Sequence, residues 1–148
     1  MHSARMKLTS KKVQRDVRDL LLESELAKAI DGGVYHAGTR PQDSRAEDAV
    51  VIFTGGVPDQ IDEGVVTLNI YVPDVLPYGE DNGVQVEDLQ RVEEVEELAR
   101  AFVRSLSAGR SCYRFRLLQT IHSVAEPSIN QHFVVVKLAY RYYDGVEE

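Results

Sequence analysis

Carboxylates are the most abundant side chains of this sequence that could carry out acid–base chemistry. Four glutamates fall within the segment Glu93–Glu97, where the apolar residues recur with helical spacing. General acid–base catalysis needs two carboxyl groups that share a cleft and differ in pKa. The spacing instead places these glutamates along the outer face of a helix, and we interpret them as a solvated surface.

A second group of acidic residues occupies a long loop at residues 73–83. Asp74, Glu80 and Asp81 offer the hard oxygen ligands that Ca²⁺ prefers. Their spacing does not match an EF-hand loop, and no glutamate stands at its twelfth position. We therefore predict no metal site and expect a mobile surface loop that orders against a partner. Its candidate interface residues are Asp74, Tyr78, Glu80 and Asp81.

Nucleophilic and cofactor chemistry find little support in the sequence. The single cysteine, Cys112, cannot form an internal disulfide or a cysteine-based zinc site, and its apolar neighbourhood indicates a buried thiol. The four histidines are scattered, and none has an obvious acidic neighbour in sequence. The chain has no Gly-rich phosphate loop, Gly-x-Ser-x-Gly elbow, His-Glu-x-x-His pair or dinucleotide fingerprint. We expect no catalytic residues and no cofactor.

Residues 38–48 form a polar loop in which positive and negative charges alternate. Such a length is unusual inside a small domain, and long loops in compact domains are often functional. The charged residues of the loop are Arg40, Asp43, Arg45, Glu47 and Asp48. They are compatible with a local network of ion pairs, and equally with an interface that contacts a neighbouring copy.

Basic residues alternate along the last two predicted strands. Alternation places Arg114, Arg116, Lys137 and Arg141 on the less buried face of the sheet. A basic and aromatic surface can bind nucleic acid, but the formal net charge of −7, from 17 basic and 24 acidic residues, argues against general nucleic-acid binding. We interpret this face as a mixed polar surface in water, with a subunit interface as the alternative.

Hydrophobic periodicity predicts the elements that must position these groups. Thr9 or Ser10 can cap a first amphipathic helix, whose apolar stripe consists of Val13, Val17, Leu20 and Leu21. The later elements are predicted at Val34–His36, Val50–Phe53, Val65–Val72, Glu87–Leu106, Tyr113–Ile121 and His132–Tyr143. The helix at Glu87–Leu106 has an apolar stripe of Leu89, Val92, Ala99, Phe102, Val103 and Leu106, with Val95 and Leu98 flanking it.

Together these elements predict one α+β domain with a single, mostly antiparallel sheet and two amphipathic helices packed on one face. We assign residues 11–144 to the domain, 1–10 to a flexible N-terminal tail and 145–148 to a C-terminal tail. No apolar run approaches the ~18 residues of a membrane helix, and the first residues lack the apolar stretch of a signal peptide. We therefore expect a cytoplasmic protein without membrane contact.

The order of elements resembles the tail terminator, or tail-completion, proteins of long-tailed phages. A helix, a long polar loop, an apolar strand, the alternating strand Val65–Val72, a loop, a long helix and two closing strands follow one another. The resemblance spans roughly Lys11 to Asp144 and rests on element order. It implies a non-enzymatic structural protein that forms a ring, commonly hexameric, which caps the tail tube and joins it to the head. The extended acidic loop at 73–83 departs from the family pattern.

The resemblance also implies partners and a location. The partners would be copies of the chain itself, tail-tube proteins and head-connector proteins, with contacts made by one sheet face or by the loops 38–48 and 73–83. The protein would assemble in the cytoplasm of a bacterial host and then belong to the virion tail. Two alternatives remain: a protein-binding adaptor of another mobile-element or secretion machine, and a small enzyme using loop carboxylates such as Asp43 and Glu47.

Overall fold

A computed structural model describes residues 8–57, 62–109 and 111–143. Within these ranges the chain forms three α-helices, six strands and one 3-10 turn. The helices are α1 (Ser10–Leu22), α2 (Glu25–Ala29) and α3 (Leu89–Leu106), and the 3-10 turn is Pro127–Ile129. The strands are β1 (Val34–His36), β2 (Ala49–Val57), β3 (Asp62–Pro73), β4 (Tyr113–Leu117), β5 (His122–Glu126) and β6 (Gln131–Tyr142).

The six strands form one mixed sheet in the order β1-β2-β3-β6-β4, with β5 also paired to β6. Only the β1–β2 pair among them is parallel. The two long strands β3 and β6 form the centre and pair over their whole length, from Asp62 opposite Tyr142 to Pro73 opposite Gln131. The mixed, mostly antiparallel sheet with its helices confirms the predicted α+β class.

The helices pack on one face of this sheet because each presents a narrow apolar stripe. The side chain of Thr9 caps α1 by accepting from the Lys12 amide, and the side chain of Asp88 caps α3 by accepting from the Arg91 amide. The buried core combines helical residues with alternate residues of the central strands. These are Val13, Val17, Leu21, Val92, Val95, Ala99 and Phe102 from the helices, and Val66, Leu68, Ile70, Val134, Val136 and Leu138 from β3 and β6.

The intervening residues of the strands form the opposite surface of the sheet, which we call the open face. It carries Glu63, Val65, Thr67 and Asn69 on β3, Lys137, Ala139 and Arg141 on β6, and Arg114 and Arg116 on β4. None of these residues belongs to the core that packs against the helices. The open face therefore presents its side chains outward in the single chain.

The predicted strand at Tyr113–Ile121 is wrong at its end. The strand stops at Leu117, and a separate strand runs from His122 to Glu126, where a connection was expected. Leu117 pairs with Leu138, and His122 pairs with Val135. The four residues 118–121 therefore stand opposite only two residues of β6, Val136 and Lys137. The excess residues must leave the ladder, as in a bulge.

The start of the second long helix also differs from the prediction. It begins at Leu89 rather than Glu87, because Asp88 provides the cap. Leu89, which was expected in the apolar stripe, is 73% exposed, whereas the flanking residue Val95 is fully buried. The part of the helix that packs on the sheet therefore begins at Val92, one turn later than the pattern suggested.

The Tyr140 hydroxyl lies against Gly56 and Gly64, which leave room for it because glycine has no Cβ atom. Gly56 pairs with Gly64, which in turn pairs with Tyr140 of β6. A Cβ atom on Gly64 would collide with the backbone of Gly55 and Gly56 and with the Tyr140 hydroxyl. By contrast, a Cβ on Gly55 would meet open space on the open face.

Candidate interaction surfaces

Arg40 holds the 38–48 loop from inside. Its Nε atom donates to Asp48 Oδ2 at 2.8 Å, and the exposed fractions of the two side chains are 11% and 1%. Its Nη2 atom donates to Gln131 Oε1 at 2.9 Å, and its guanidinium lies 4.0 Å from the centre of the Tyr71 ring. One largely buried cation thus joins the loop to β3 and β6.

The Asp48 carboxylate is satisfied entirely within the chain. Oδ1 accepts from the Gly33 amide at 2.9 Å, and Oδ2 accepts from the Ser44 hydroxyl as well as from Arg40. Burial raises the pKa of Asp48, but these three donors outweigh it and hold the pKa below its ordinary value. Asp48, predicted as an interface residue, is therefore an internal anchor in the single chain.

Glu47 is held by a partner from outside the loop. Arg91 of α3 donates to both carboxylate oxygens, at 2.7 and 2.8 Å, and also to the backbone oxygen of Ala29 at 2.8 Å. The hydrogen bonds to Glu47 raise the pKa of Arg91 above its ordinary value. This bidentate pair ties the loop to α3 and to the end of α2.

The remaining charged residues of the 38–48 loop point outward. Asp43 is exposed and has no ion-pair partner in the described ranges. Arg45 is exposed and donates to the Ile129 backbone oxygen at 3.1 Å. The local-network alternative therefore describes Arg40 and Asp48, while the interface alternative stays a prediction for Asp43 and Arg45.

The segment 74–88 between β3 and α3, which we call the arm, is anchored at both ends. At its start, Asp74 Oδ1 lies 2.7 Å from His132 Nδ1 on β6. At its end, the Ser123 hydroxyl of β5 donates to Glu87 Oε2 at 2.6 Å. Asp74 thus fixes the base of the arm within the single chain, and its use as an interface residue stays a prediction.

The middle of the arm is a self-paired loop that exposes apolar side chains. Val75 and Val86 exchange two backbone hydrogen bonds of 2.9 Å, and Gly79 and Gly83 adopt the left-handed turns that glycine tolerates best. Glu80 and Asp81 lie at the turn, and neither has an ion-pair partner in the described part of the chain. The arm and the adjoining start of α3 expose Val75, Leu76, Tyr78, Val84, Val86 and Leu89.

The open face brings the predicted basic residues together around a shallow groove. Gly55, Val65, Ala139 and Arg116 lie side by side in one row across four strands. The groove above this row has a volume of about 560 Å³, and Arg114, Arg116 and Arg141 are among the residues that line it. Lys137, opposite Thr67 on the same face, adds a further cation nearby. The predicted clustering on one face is confirmed, whereas its use as an interface stays a prediction.

Two of these cations oppose each other directly. Arg114 pairs with Arg141 in the β4–β6 ladder, and like charges in that position are unfavourable. Their guanidiniums lie 6.0 and 5.9 Å from the centre of the Tyr143 ring. Glu63 offsets only part of the charge, since its carboxylate is 3.9 Å from Arg141 and both side chains are about half exposed. An anion that binds here would relieve this repulsion.

The glutamates of α3 lie along its surface, as the sequence predicted. Glu94 pairs with Arg91 at 3.0 Å and Glu97 pairs with Arg100 at 2.7 Å. Burial, followed by the charges of neighbouring glutamates, raises the pKa of Glu96.

Within the described ranges, no group of three or more histidines, cysteines or acidic residues is placed to hold a metal ion. No helix in these ranges is long and apolar enough to cross a membrane.

A buried hydroxyl joins α1 to β4. The Tyr113 hydroxyl donates to Asp16 Oδ2 at 2.8 Å, and Lys12 Nζ approaches the same carboxylate at 2.7 Å. Burial, reinforced by Asp16, raises the pKa of Tyr113 above its ordinary value. The neighbouring Cys112, expected to be buried, is partly exposed.

Comparison with known proteins adds no relative to this description. A scan against protein-family models finds no match, and a search of curated proteins finds no significant match.

Sequence reasoning missed the long-range partners that hold these surfaces. Nothing in the sequence sets Arg91 apart from the other charged residues of its helix, and His132 is one of the four scattered histidines. The signal for His132 was present in part, because pairing the two long predicted strands in register sets it opposite Val72, next to Asp74. The partner of Glu47 had no comparable signal, because it depends on how α3 crosses the sheet.

Proposed function

We propose that this protein is a structural subunit of a phage or prophage tail, of the tail-terminator kind. Copies of the chain assemble into a ring that caps the tail tube and joins it to the head. The ring forms in the cytoplasm of the bacterial host and then belongs to the virion. The observation that carries this proposal is the arm, a firmly based segment whose apolar side chains lie in water.

The arm supports an assembly function because its apolar side chains are exposed to water, which is unfavourable, and a bound partner would bury them. Large apolar side chains that cluster on a surface mark interaction sites more often than isolated ones do. Tyr78 is 70% exposed and Leu89 is 73% exposed, and both stand among other exposed apolar residues. The anchors at Asp74 and Glu87 hold the segment in place, so little conformational entropy is lost when it docks.

The division of the sheet into a packed face and an open face gives further support. One face is used by the helices to build the core. The other carries charged and small side chains around the groove and the aromatic pair Tyr71 and Phe133 towards its opposite end. A subunit of a ring needs surfaces for two neighbours and for the tube. The arm and the open face are separate surfaces that can serve different contacts.

The proposal is tested by co-sedimentation with tail tubes. Sequencing the DNA on both sides of the gene identifies a candidate tube protein, which is then expressed and assembled into tubes. We expect the wild-type chain to pellet with the tubes. A double substitution, Tyr78→Ser in the arm with Leu89→Ser at the start of α3, should reduce the pelleted fraction at least ~10-fold, since each residue buries an apolar side chain at the contact.

A matched control uses an exposed apolar residue elsewhere. Leu22 at the end of α1 is 43% exposed, so Leu22→Ser should leave both binding and folding unchanged. A wild-type chain that stays in the supernatant, or flanking genes of purely metabolic character, would contradict the proposal. Binding to one defined protein without a tube would favour the adaptor alternative.

A further inference from the structure

We propose that the arm of one copy docks into the open-face groove of the next copy. The occupant is thus a second copy of this chain, with Tyr78 in the groove and Glu80 and Asp81 against its cations. This inference rests on the proposed ring and names the two surfaces that would form its repeating contact. Four observations carry it.

The first observation is charge complementarity between the two surfaces. Glu80 and Asp81 at the turn of the arm are exposed and lack ion-pair partners in the described ranges. Arg116 and Lys137 on the open face likewise form no ion pair with a carboxylate in the described part of the chain. Because the whole chain has a net charge of −7, two copies repel unless a basic surface meets an acidic one.

The second observation is the like-charge pair beside the groove. Arg114 and Arg141 face each other across the ladder, with Glu63 as the only carboxylate near them among the open-face residues described. The carboxylates of an arriving arm would convert this unfavourable pair into a favourable contact. An acidic occupant is therefore expected to bind this groove more tightly than it would bind an uncharged surface.

The third observation is shape. The floor of the groove is built from Gly55, Val65 and Ala139, which are small or short side chains, and its volume is about 560 Å³. Tyr78 is the single aromatic residue of the arm, and its side chain is 70% exposed. A phenol ring on this floor would lie next to arginine guanidiniums, a contact that favours Tyr and Arg at interfaces.

The fourth observation is the distance between the two surfaces within one chain. The arm leaves β3 at Pro73, while the groove is centred on Gly64 and Val65 near the other end of that strand. At ~3.3 Å per residue, Gly64 and Pro73 are roughly 30 Å apart. The groove of one copy is therefore filled by the arm of another copy. The proposed ring requires the head-to-tail form of this contact, which generates closed rings or open helices.

A competing occupant is the acidic surface of α3. Two of its exposed carboxylates, on Glu94 and Glu97, already pair with arginines of the same helix. The arm offers unpaired carboxylates together with apolar side chains, so we assign it to the groove. A variant that reverses the charge of Glu93 on α3, together with that of Glu23, tests for contacts made outside the arm.

The test reverses charges on each surface and measures assembly by light scattering over a concentration series and by tube capping. The arm variant is Glu80→Lys with Asp81→Lys, and the groove variant is Arg116→Glu with Lys137→Glu. Each should weaken assembly at least ~100-fold, because like charges then meet at the contact. A chain that carries all four substitutions should regain assembly, and so should an equimolar mixture of the two variants.

A control variant changes the same amount of charge elsewhere. Glu23→Lys with Glu93→Lys alters two exposed carboxylates, one just after α1 and one on α3, and should assemble like the wild type. Tyr78→Ala, which changes no charge, should also weaken assembly while the melting temperature stays the same. Circular dichroism and thermal melts confirm that every variant is folded.

The outcomes separate this inference from the proposed function. Rings or capping that survive either charge reversal, or a combined variant that does not recover, overturn the inference and leave the proposed function standing. Loss of assembly in the control variant shows that a carboxylate outside the arm makes the contact, and it also overturns the inference. A wild type that neither self-associates nor caps tubes overturns the proposed function, and this inference with it.

Discussion

Replacement of Arg40 with leucine should strongly destabilise the fold without touching the core that packs against the helices. The side chain is 11% exposed and holds four groups at once: Asp48, Gln131, the Tyr71 ring and backbone oxygens of its own loop. Leucine keeps part of the apolar volume and removes every one of these contacts. The Asp48 carboxylate, 1% exposed, then stays buried without its cation.

The expected loss follows from the buried pair. Removal of one partner from a buried ion pair costs about 3–5 kcal/mol. Asp48 keeps its donors at Ser44 and Gly33, which favours the lower end of that range. The lost contact with the Tyr71 ring adds about 1 kcal/mol. We therefore expect a decrease of about 4 kcal/mol in the free energy of unfolding.

Equilibrium unfolding in urea, followed by circular dichroism, measures this loss. With a slope of about 2 kcal/mol per molar urea, the midpoint should fall by about 2 M. Arg45→Leu is the matched control, because Arg45 lies in the same loop, is exposed and makes one hydrogen bond to Ile129. It should cost less than ~1 kcal/mol.

The difference between the wild type and Arg40→Leu should also depend on pH. The pKa of Asp48 is lowered in the folded chain from an ordinary value of 3.8. Its ionised form therefore contributes stability above that value, and the contribution is lost as pH falls through the folded pKa. The gap between the two proteins should narrow below about pH 4. Equal costs for the Arg40 and Arg45 substitutions, or a gap independent of pH, would refute the reasoning.

Three further substitutions test other parts of the account. Gly64→Ala should cost about 2 kcal/mol or more in urea unfolding, because its Cβ meets backbone, whereas Gly55→Ala, which points into open space, should change stability by less than ~1 kcal/mol. Tyr113→Phe should cost about 1 kcal/mol and remove a late-titrating phenol from an alkaline spectrophotometric titration, since burial raises the pKa of Tyr113. Arg91→Ala should cost about 1–3 kcal/mol in a thermal melt, whereas Arg100→Ala, in an exposed pair, should cost less than ~0.5 kcal/mol.

The predictable part of the fold is the part that short-range periodicity encodes. The stripe of Val13, Val17 and Leu21 lies buried as its spacing indicates. Alternation along Val65–Val72 assigned the faces of β3 correctly, because successive side chains in a strand must point to opposite sides. The same rule placed Arg114 and Lys137 on the open face.

The parts that could not be predicted depend on pairing register and on contacts between distant segments. The alternation of side chains continues through residues 118–121, so the sequence predicts one strand. The break between β4 and β5 is visible only in their pairing with β6. The opposition of Arg114 and Arg141 also needs the register, so the sequence suggested a basic face without its internal repulsion. Leu89 shows that a helical stripe does not reveal where the packed surface ends.

For the candidate site, the sequence identified charged loops but not which charges remain free. The sequence does not distinguish Asp48 and Glu47 from Asp43. In the structure, Asp48 pairs with Arg40 and Glu47 pairs with Arg91. These two carboxylates are shielded from water, whereas that of Asp43 is exposed. A carboxylate shielded from water is unstable unless it is paired, so Asp48 and Glu47 need partners within the chain. Glu80 and Asp81 at the arm's turn stay exposed and are therefore available to a second copy.

Electron microscopy of tube ends tests the central claim most directly. Purified wild-type chain is added to tubes assembled from the tube protein encoded beside its gene, and the ends are imaged and averaged. The account predicts one closed ring of this chain on a tube end, which stops further growth of the tube. Bare ends that continue to elongate, or single copies bound without a ring, would contradict it.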